Sequence, residues 1–479
     1  MGLSVSLDTG ITGLRAAQYA MDVAAHNIAN ANTDGYSRQD VQLAAVPPPF
    51  TQFSGQGNPI SQIGLGVRLQ QVRRDRDQLL DTQYRDIRGL NDQYQAQANA
   101  LQEAENTLNE PGDQGIGAQI TNFFNAFRDL TSQPESLAAR SAAVQSGATL
   151  AAAFNREATL LTQQRSALDQ SLDVDVSNVN SMAQQIAALN VQIQQAVVAG
   201  GTANDLMDQR DLLLDNLAGM VGASSQAGAN GAVDVIVGGH KLVDSTKPFD
   251  PSNPAAPGGA VDPLQRTNTP PLTNGFNTIT WRSDGTAANI TTGTVKGTID
   301  ARDINVSGLI TDLNTLAGGF ISAINAAHSA GYGLDNSTGL NFFTGTDAAT
   351  IGVNQTLVTN PEKLATADQP NVPGNPNAAN AIIAVQSALL FNGGTASVND
   401  SYNSIVSGLG VNAAQAQNLA TNQQTLLQHI DTARQSVMGV SIDEEMTNMM
   451  KAQHSYEAAA RVITASDSML DTLINHMLV

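Results

Sequence analysis

The largest set of carboxylates at helical spacing lies near the middle of the chain. Asp205, Asp208, Asp211 and Asp215 follow one another at intervals of three, three and four residues, so a helix places them on one face. Four carboxylates together can bind a divalent cation, but a calcium loop needs a central Gly and a distal Glu, and neither is present. We therefore expect a solvated acidic face and no metal site.

Histidine, the usual residue for acid–base and zinc chemistry, is sparse and dispersed. The six His residues fall at positions 26, 240, 328, 429, 454 and 476, without an HExxH pair and without Cys to complete a zinc set. The chain also has no G-x-S-x-G elbow, dinucleotide fingerprint or P-loop. The sequence therefore predicts no catalytic residue, no cofactor and no enzyme.

Composition limits the class of protein. The 479 residues are 41% hydrophobic but only 4% aromatic, which favours long helices with thin apolar stripes. A net charge of −20 argues against nucleic acid and anionic membranes as partners. No apolar run can span a bilayer, and the first basic residue is Arg15, so we expect neither membrane insertion nor a cleaved signal peptide.

Both ends of the chain carry apolar residues at steps of three and four, as in a coiled coil. The C-terminal repeat lies in 441–479, where Gln453 and Asp467 interrupt it and are expected to fix its register. Two ordinary amphipathic surface helices are the alternative interpretation. We predict that the two stripes pack together or against other copies, through an assembly seam of Leu7, Ile11, Leu14, Met21, Ile28, Ile442, Met446, Met449, Tyr456, Ile463, Leu470 and Ile474.

The residues between the ends predict helices interrupted by a β-rich region. Helix is expected almost throughout from about Gln71 to Met220, with the Arg and Asp residues of 73–88 forming a solvated, self-paired face. Gly, Pro, Ser and Thr then predominate, and we expect short strands at 233–237, 241–243, 278–281 and 295–299.

Three stretches of sequence resemble a known family. NIANANTDGYSRQ (27–39) is similar to the N-terminal signature of the axial proteins of the bacterial flagellum. Its GYSRQ ending, the stretch 204–211 and GVSIDEEM (439–446) resemble the hook-associated protein 1 family of hook–filament junction proteins. The residues that carry this likeness are Asn27, Asn30, Thr33, Gly35, Tyr36, Asn204, Asp208, Arg210, Asp211, Gly439, Ser441, Asp443, Glu444 and Glu445.

The resemblance implies a structural role outside the cell. It implies a subunit that joins the flagellar hook to the filament, polymerises through its terminal helices and leaves the cell through the flagellar type III apparatus. The implied partners are copies of the chain in a ring or helical layer, hook protein below, a second hook-associated junction protein above, and an export chaperone at the C-terminal helix. A hook or rod subunit is one alternative, and a secreted enzyme or adhesin on an axial-protein scaffold is another.

The expected fold class is mainly α, elongated, with a small β-rich insertion and with the N- and C-terminal helices paired as a coiled coil. We predict a terminal coiled-coil assembly domain from 1–36 and 439–479. A helical, rod-like domain comprises 37–221, 299–334 and 377–438, and the β-rich insertion comprises 222–298. The turn-rich segment 335–376 is attached to the helical or the β domain.

Overall fold

The computed structural model describes residues 2–47, 64–108, 110, 112–267 and 275–475, and most of them are helical. The helices are α1 (Gly2–Asn30), α2 (Gln78–Leu108), α3 (Ile116–Ser132), α4 (Leu137–Val198), α5 (Asn204–Val221), α6 (Thr294–Asp300), α7 (Ser307–Ser329), α8 (Gln355–Thr359), α9 (Asn377–Ala384), α10 (Val398–Met438) and α11 (Ile442–Asn475). The strands are β1 (Gln39–Ala45), β2 (Val67–Arg74), β3 (Ser224–Ala227), β4 (Val233–Val237), β5 (His240–Val243), β6 (Leu264–Thr267), β7 (Thr278–Trp281), β8 (Phe343–Thr344) and β9 (Gly352–Val353). They pair as small antiparallel sheets, which confirms the expected fold class.

Helix α4 connects two hydrophobic cores. Its 62 residues begin at an N-cap in which the Ser136 side chain accepts a hydrogen bond from the backbone N–H of Ala139. A helix of this length extends roughly 90 Å at about 1.5 Å per residue. Its first half, up to Leu161, packs into one core, and its second half, from Leu172, packs into the other. We call the two regions the first lobe and the second lobe.

The first lobe is built around aromatic side chains. Phe123 of α3 is fully buried, with ring centroids 4.9 Å from Phe127, 5.6 Å from Phe320 and 5.6 Å from Phe342. The turn-rich segment 335–376 supplies Phe342 and other apolar side chains to this core, so it packs with the helices.

The second lobe combines helices with most of the strands. Val235 and Trp281, from two different sheets, share a buried core with Leu172 and Ile186 of α4 and Leu217 of α5. The sheets of 222–298 therefore lack a core of their own and rest on the helices. The division into domains remains a prediction.

Two expectations of local structure are wrong. Residues 71–74 end strand β2, which pairs with β1 so that Gln39 lies opposite Arg74, and the helix begins only at Gln78. Residues 295–299 lie in α6 although three of them are β-branched. A Cβ atom on Gly297 would lie 2.3 Å from the carbonyl oxygen of Gln93, so this glycine lets α6 press its backbone against α2. Tertiary packing thus outweighs local strand propensity.

Helices α1 and α11 pair with antiparallel axes, as expected for the chain ends. Gly10, near the start of α1, lies against Ile463 in the second half of α11. Asn27, near the end of α1, bonds Glu445 at the start of α11. The two ends of the chain therefore form one terminal helix pair beside the lobes.

Candidate assembly site

The contact within the terminal helix pair consists mainly of small residues. Gly10, Ala17 and Ala24 are buried on α1 at steps of seven residues, and Ala452 and Ser466 are buried on α11. A Cβ atom on Gly10 would lie 2.8 Å from Cγ1 of Ile463, so the two backbones approach closely there. Small side chains permit this approach but bury little apolar area, so the pair by itself gains little stability.

The predicted seam residues lie at the edges of this contact. Leu7, Ile11, Leu14, Met21 and Ile28 are half-buried on α1. On α11, Met449, Ile463 and Leu470 are half-buried, whereas Ile442, Met446, Tyr456 and Ile474 are exposed. Their role in assembly remains a prediction.

Gln453 and Asp467, which are expected to interrupt the seam and fix its register, do not enter the contact between α1 and α11. Both side chains are exposed, because their neighbours Ala452 and Ser466 occupy the contact with α1. The register of the pair is set instead by the close approach at Gly10 and by the polar contacts at the other end of α1. A 3–4 repeat alone does not distinguish adjacent stripes of one helix.

The end of α1 is fixed by a fully buried asparagine. Asn27 donates from Nδ2 to the carbonyl oxygen of Gln39 (2.9 Å) and to Oε2 of Glu445 (3.0 Å). Its Oδ1 accepts from the backbone N–H of Gln39 (3.0 Å) and from the Tyr36 hydroxyl (2.8 Å). One side chain thus connects α1, the chain leading into β1, and the first turn of α11.

Adjacent residues tie this end to the lobes. Ser37 donates from its backbone N–H (3.0 Å) and its hydroxyl (2.6 Å) to the carboxylate of Asp208 on α5. Arg38 forms a two-pronged pair with Glu444 (3.2 and 3.0 Å) and donates its backbone N–H to Met438 (2.9 Å). We call residues 27–39, the start of α11 and the start of α5 the joint.

The prediction of a solvated acidic face on α5 is wrong for three of its four aspartates. Asp208, Asp211 and Asp215 are buried, and only Asp205 is largely exposed. Arginines of 73–88, expected to pair with the aspartates of their own segment on a solvated face, reach these carboxylates, and Arg434 of α10 joins them. The ion pairs under 3 Å are Arg74–Asp208, Arg74–Asp211, Arg76–Asp211, Arg85–Asp215 and Arg434–Asp215.

These contacts lower the pKa of Asp211 despite its burial. Burial alone would raise the pKa of Asp211, but the guanidinium groups of Arg76 and Arg74 hold it below its usual value. Asp81 is shared by Arg76 (2.9 Å) and Arg434 (2.6 Å), which joins α2 to the end of α10. Among the residues that the structure describes, no group of three or more His, Cys, Asp or Glu is arranged to hold a metal ion.

The structure brings together half of the residues that carry the family likeness. Asn27, Tyr36, Asn204, Asp208, Asp211, Glu444 and Glu445 all contribute side chains to the joint or its charged network. The other residues make local contacts. Asn30 donates to the His26 carbonyl oxygen, Thr33 donates to Asn30, and Gly35 adopts a φ of 77°. Arg210 donates to the Gly231 carbonyl oxygen, Gly439 follows α10, Ser441 accepts from the backbone N–H of Glu444, and Asp443 lies in the first turn of α11.

Sequence reasoning missed the basic half of this network. Arg74, Arg76 and Arg85 stand out in 73–88 only as members of an alternating charge pattern, and Arg434 is isolated in sequence. The spacing of the four aspartates on α5 was the signal from which these arginine partners could have been inferred. If such a row of carboxylates is buried, it requires cations opposite it.

Comparison with protein families gives consistent matches along the chain. The model described as "Flagellar hook-associated protein FlgK helical domain" matches residues 101–343. A model of the flagellar basal body rod protein matches residues 7–36, and one of the C-terminal region of the rod protein group FlgEFG matches residues 434–476.

Full-length relatives and a solved structure agree with these matches. The chain is 32% identical to flagellar hook-associated protein 1 of Bacillus subtilis, over 99% of this chain and 98% of the relative. It is 25% identical to the protein of the same name from Escherichia coli, over 99% of this chain and all of the relative. The hook junction protein FlgK of Burkholderia pseudomallei shares the fold, with a TM-score of 0.63, 15% identity, and coverage of 74% of this chain and 100% of that one.

Proposed function

This chain belongs to the flagellar hook-associated protein 1 family, and on that premise we propose that it polymerises through its terminal helix pair to join the hook to the filament. It is a structural component of the flagellum at the hook junction. We propose, beyond this role, that the chain polymerises, that it is exported by the type III apparatus and that it has the individual partners named below.

The observation that supports polymerisation is the distribution of apolar side chains on the terminal helix pair. On α11, Ile442 is 49% exposed, Met446 50%, Met469 59% and Ile474 61%. On α1, Tyr19 is 47% exposed. The contact inside the pair uses mainly small residues, so these large apolar side chains remain on its outer surface. Rows of exposed apolar side chains of this kind mark protein–protein contacts.

Copies of the chain are the proposed occupants of this outer surface. A helix pair that presents apolar side chains on its flanks can meet neighbours on more than one side. Head-to-tail contacts generate a ring where the rotation between neighbours closes and a helical layer where it does not. Burial of each large aliphatic side chain contributes about 1.5–3 kcal/mol, so the neighbours would supply the stability that the small-residue contact lacks.

The remaining partners follow from family membership. We propose hook protein below the layer, a second hook-associated junction protein above it, and an export chaperone that covers α11 before assembly. Every helix in the described part of the chain is too short or too polar to cross a bilayer. Export by the flagellar type III apparatus is tested by comparing culture medium from cells with and without a functional export gate, where only the former should contain the chain.

Deletion of the gene tests the junction role directly. We expect cells that keep their hooks, lack filaments and release filament protein into the medium, because filament subunits have no layer on which to assemble. Electron microscopy of the cell surface and immunoblotting of the medium measure both effects. Normal filaments on the deletion strain would refute the proposal. Loss of the hooks as well would favour a hook or rod subunit.

A further inference from the structure

The network beside the joint borders a cavity whose walls are rich in arginine. The cavity, of about 580 Å³, lies between β2, the start of α2, α5 and β3. Of the residues that the structure describes, those lining it include five arginines, two aspartates and no other charged residue. The chain as a whole has a net charge of −20 and only 23 basic residues, so this concentration of cations is local. The five are Arg73, Arg74, Arg76, Arg85 and Arg210.

The buried part of the network does not reach charge balance. Five arginines (Arg74, Arg76, Arg85, Arg210 and Arg434) face four aspartates (Asp81, Asp208, Asp211 and Asp215). A buried guanidinium without a full complement of acceptors is costly, by several kcal/mol when no anion compensates it. The network therefore has room for one more anion.

Arg210 is the least satisfied member. It is 4% exposed and lines the cavity. Its Nη1 donates to the carbonyl oxygen of Gly231 (2.6 Å) and, at 3.5 Å, to Oδ1 of Asn190. Its Nη2 lies 3.6 Å from Oδ1 of Asp211, and its Nε has no hydrogen-bond partner among the described residues. Burial lowers the pKa of Arg210, which reflects the same incomplete compensation.

Other donors around the cavity are also available. Arg74 makes its two ion pairs through Nη1 alone, at 2.8 Å to Asp208 and 2.8 Å to Asp211. Arg73 is 56% exposed, and the hydroxyl group of Ser225 adds a further polar group to the wall. Guanidinium groups with hydroxyl groups form the donor set that binds oxyanions through charge-assisted hydrogen bonds.

We propose that this cavity binds a small tetrahedral oxyanion, phosphate or sulfate, which completes the charge balance of the network and stiffens the joint between the terminal helix pair and the lobes. The bound ion would connect β2, α2 and α5, the elements to which Ser37 is tied through Asp208. The proposal does not depend on polymerisation, because the site lies within one chain.

Thermal unfolding of the full-length chain in inorganic phosphate tests the proposal, with chloride at matched ionic strength as the reference. We expect a saturable rise in Tm of roughly 2–4 °C, because a ligand that binds only the folded state stabilises it. Sulfate should reproduce the rise, whereas acetate, which is planar and singly charged, should not. An unchanged Tm would overturn the proposal. A Tm that increases with phosphate concentration without saturation would also overturn it, since phosphate stabilises proteins non-specifically in that way.

A matched pair of variants separates the site from that general effect. Thr82 lines the cavity, and Thr159 lies on α4; both are exposed, and both donate a hydroxyl hydrogen bond to the carbonyl oxygen four residues earlier. Thr82→Asp should abolish the phosphate-dependent rise by placing a carboxylate in the cavity. Thr159→Asp should keep it. Equal rises in both variants would refute the site.

A direct measurement avoids dependence on the fold of the Thr82→Asp variant. Isothermal titration of the wild-type chain with phosphate should give saturable binding, and Arg73→Gln should weaken it roughly tenfold, the effect of losing one charge-assisted hydrogen bond. Arg73 is a suitable position because it lies outside the buried network. Unchanged affinity in Arg73→Gln, or no binding by the wild type, would count against the proposal.

Discussion

The first lobe and the terminal helix pair use apolar residues in opposite ways. In the first lobe, large side chains such as Phe123, Phe320 and Phe343 are fully buried and contact one another. In the helix pair, small residues make the contact, and Met446 and Ile474 face outwards. The lobe is therefore stabilised by its own chain, whereas the pair leaves its largest apolar surfaces for other molecules. Which region a residue belongs to decides whether its loss affects folding or assembly.

The largest expected effect comes from the centre of the first lobe. Phe123→Ala should lower the free energy of unfolding by about 3–5 kcal/mol, because it removes a buried ring and leaves a cavity among five other Phe rings. Urea denaturation of the purified monomer measures the change. Tyr19→Ala, at a 47% exposed site on α1, is the control and should leave the stability nearly unchanged. Similar losses in both variants would remove the contrast between the regions.

Acid should weaken the first lobe through His328. Its Nδ1 lies 2.7 Å from the Leu340 carbonyl oxygen and its Nε2 accepts from the Ala365 N–H at 3.0 Å, so the neutral ring is satisfied. Burial lowers its pKa from 6.5 to about 4, although the bond to Leu340 opposes the shift. Between these pH values the unfolded chain binds a proton that the folded chain excludes. The free energy of unfolding therefore decreases as the pH is lowered from 6.5 to about 4, by up to about 3 kcal/mol.

Hydrogen exchange in α7, corrected for the intrinsic rate at each pH, checks this expectation. Protection should decrease between pH 6.5 and pH 4. Constant protection over that range would show that His328 does not exclude the proton. Replacement of the exposed His454, on α11, by Gln provides the control, and this variant should behave as the wild type does.

Two glycines of α1 test how closely the helix pair packs. A Cβ atom at position 10 would lie 2.8 Å from Cγ1 of Ile463, whereas one at position 13 would meet nothing closer than 3.7 Å, the Cβ of Ala459. Gly10→Ala should therefore weaken the pair by about 1 kcal/mol through overpacking. Gly13→Ala should strengthen it by about 0.5–1 kcal/mol through helix propensity. Amide exchange in α1 measures both, and changes in the same direction would contradict the observed contact.

A substitution on the outer surface of α11 should have the smallest effect on monomer stability. It should nevertheless abolish assembly. Met446→Asp should change the free energy of unfolding by less than about 0.5 kcal/mol, because the side chain is already 50% exposed. Cells that carry it should lack filaments. Thr447→Asp adds the same charge at the neighbouring exposed position and should retain them. Normal filaments with Met446→Asp would exclude this residue from the assembly contact.

The sequence predicted the pairing of the chain ends but not the faces that meet. A 3–4 repeat identifies an amphipathic helix, yet Leu7 and Gly10 belong to adjacent stripes, and the repeat favours whichever stripe has the larger side chains. The contact formed on the stripe of Gly10, Ala17 and Ala24, because close approach of two backbones depends on small residues. Hydrophobic periodicity identifies the stripe with the largest apolar side chains, whereas the packing of two helices depends on the shapes of the surfaces that meet.

The charged residues show the same limit more sharply. The spacing of Asp205, Asp208, Asp211 and Asp215 placed them on one helix face from sequence alone. Only the fold showed that Arg74, Arg76 and Arg434, distant in sequence, meet three of them in a buried network.

By itself, the sequence determined most of the helices, the family likeness and the pairing of the two ends, because these follow from local periodicity and short motifs. Only the tertiary structure decided which stripe of each helix is covered and which carboxylates are buried. The reason is physical: burial and ion pairing depend on what a distant part of the chain brings to a surface, and local sequence does not contain that information.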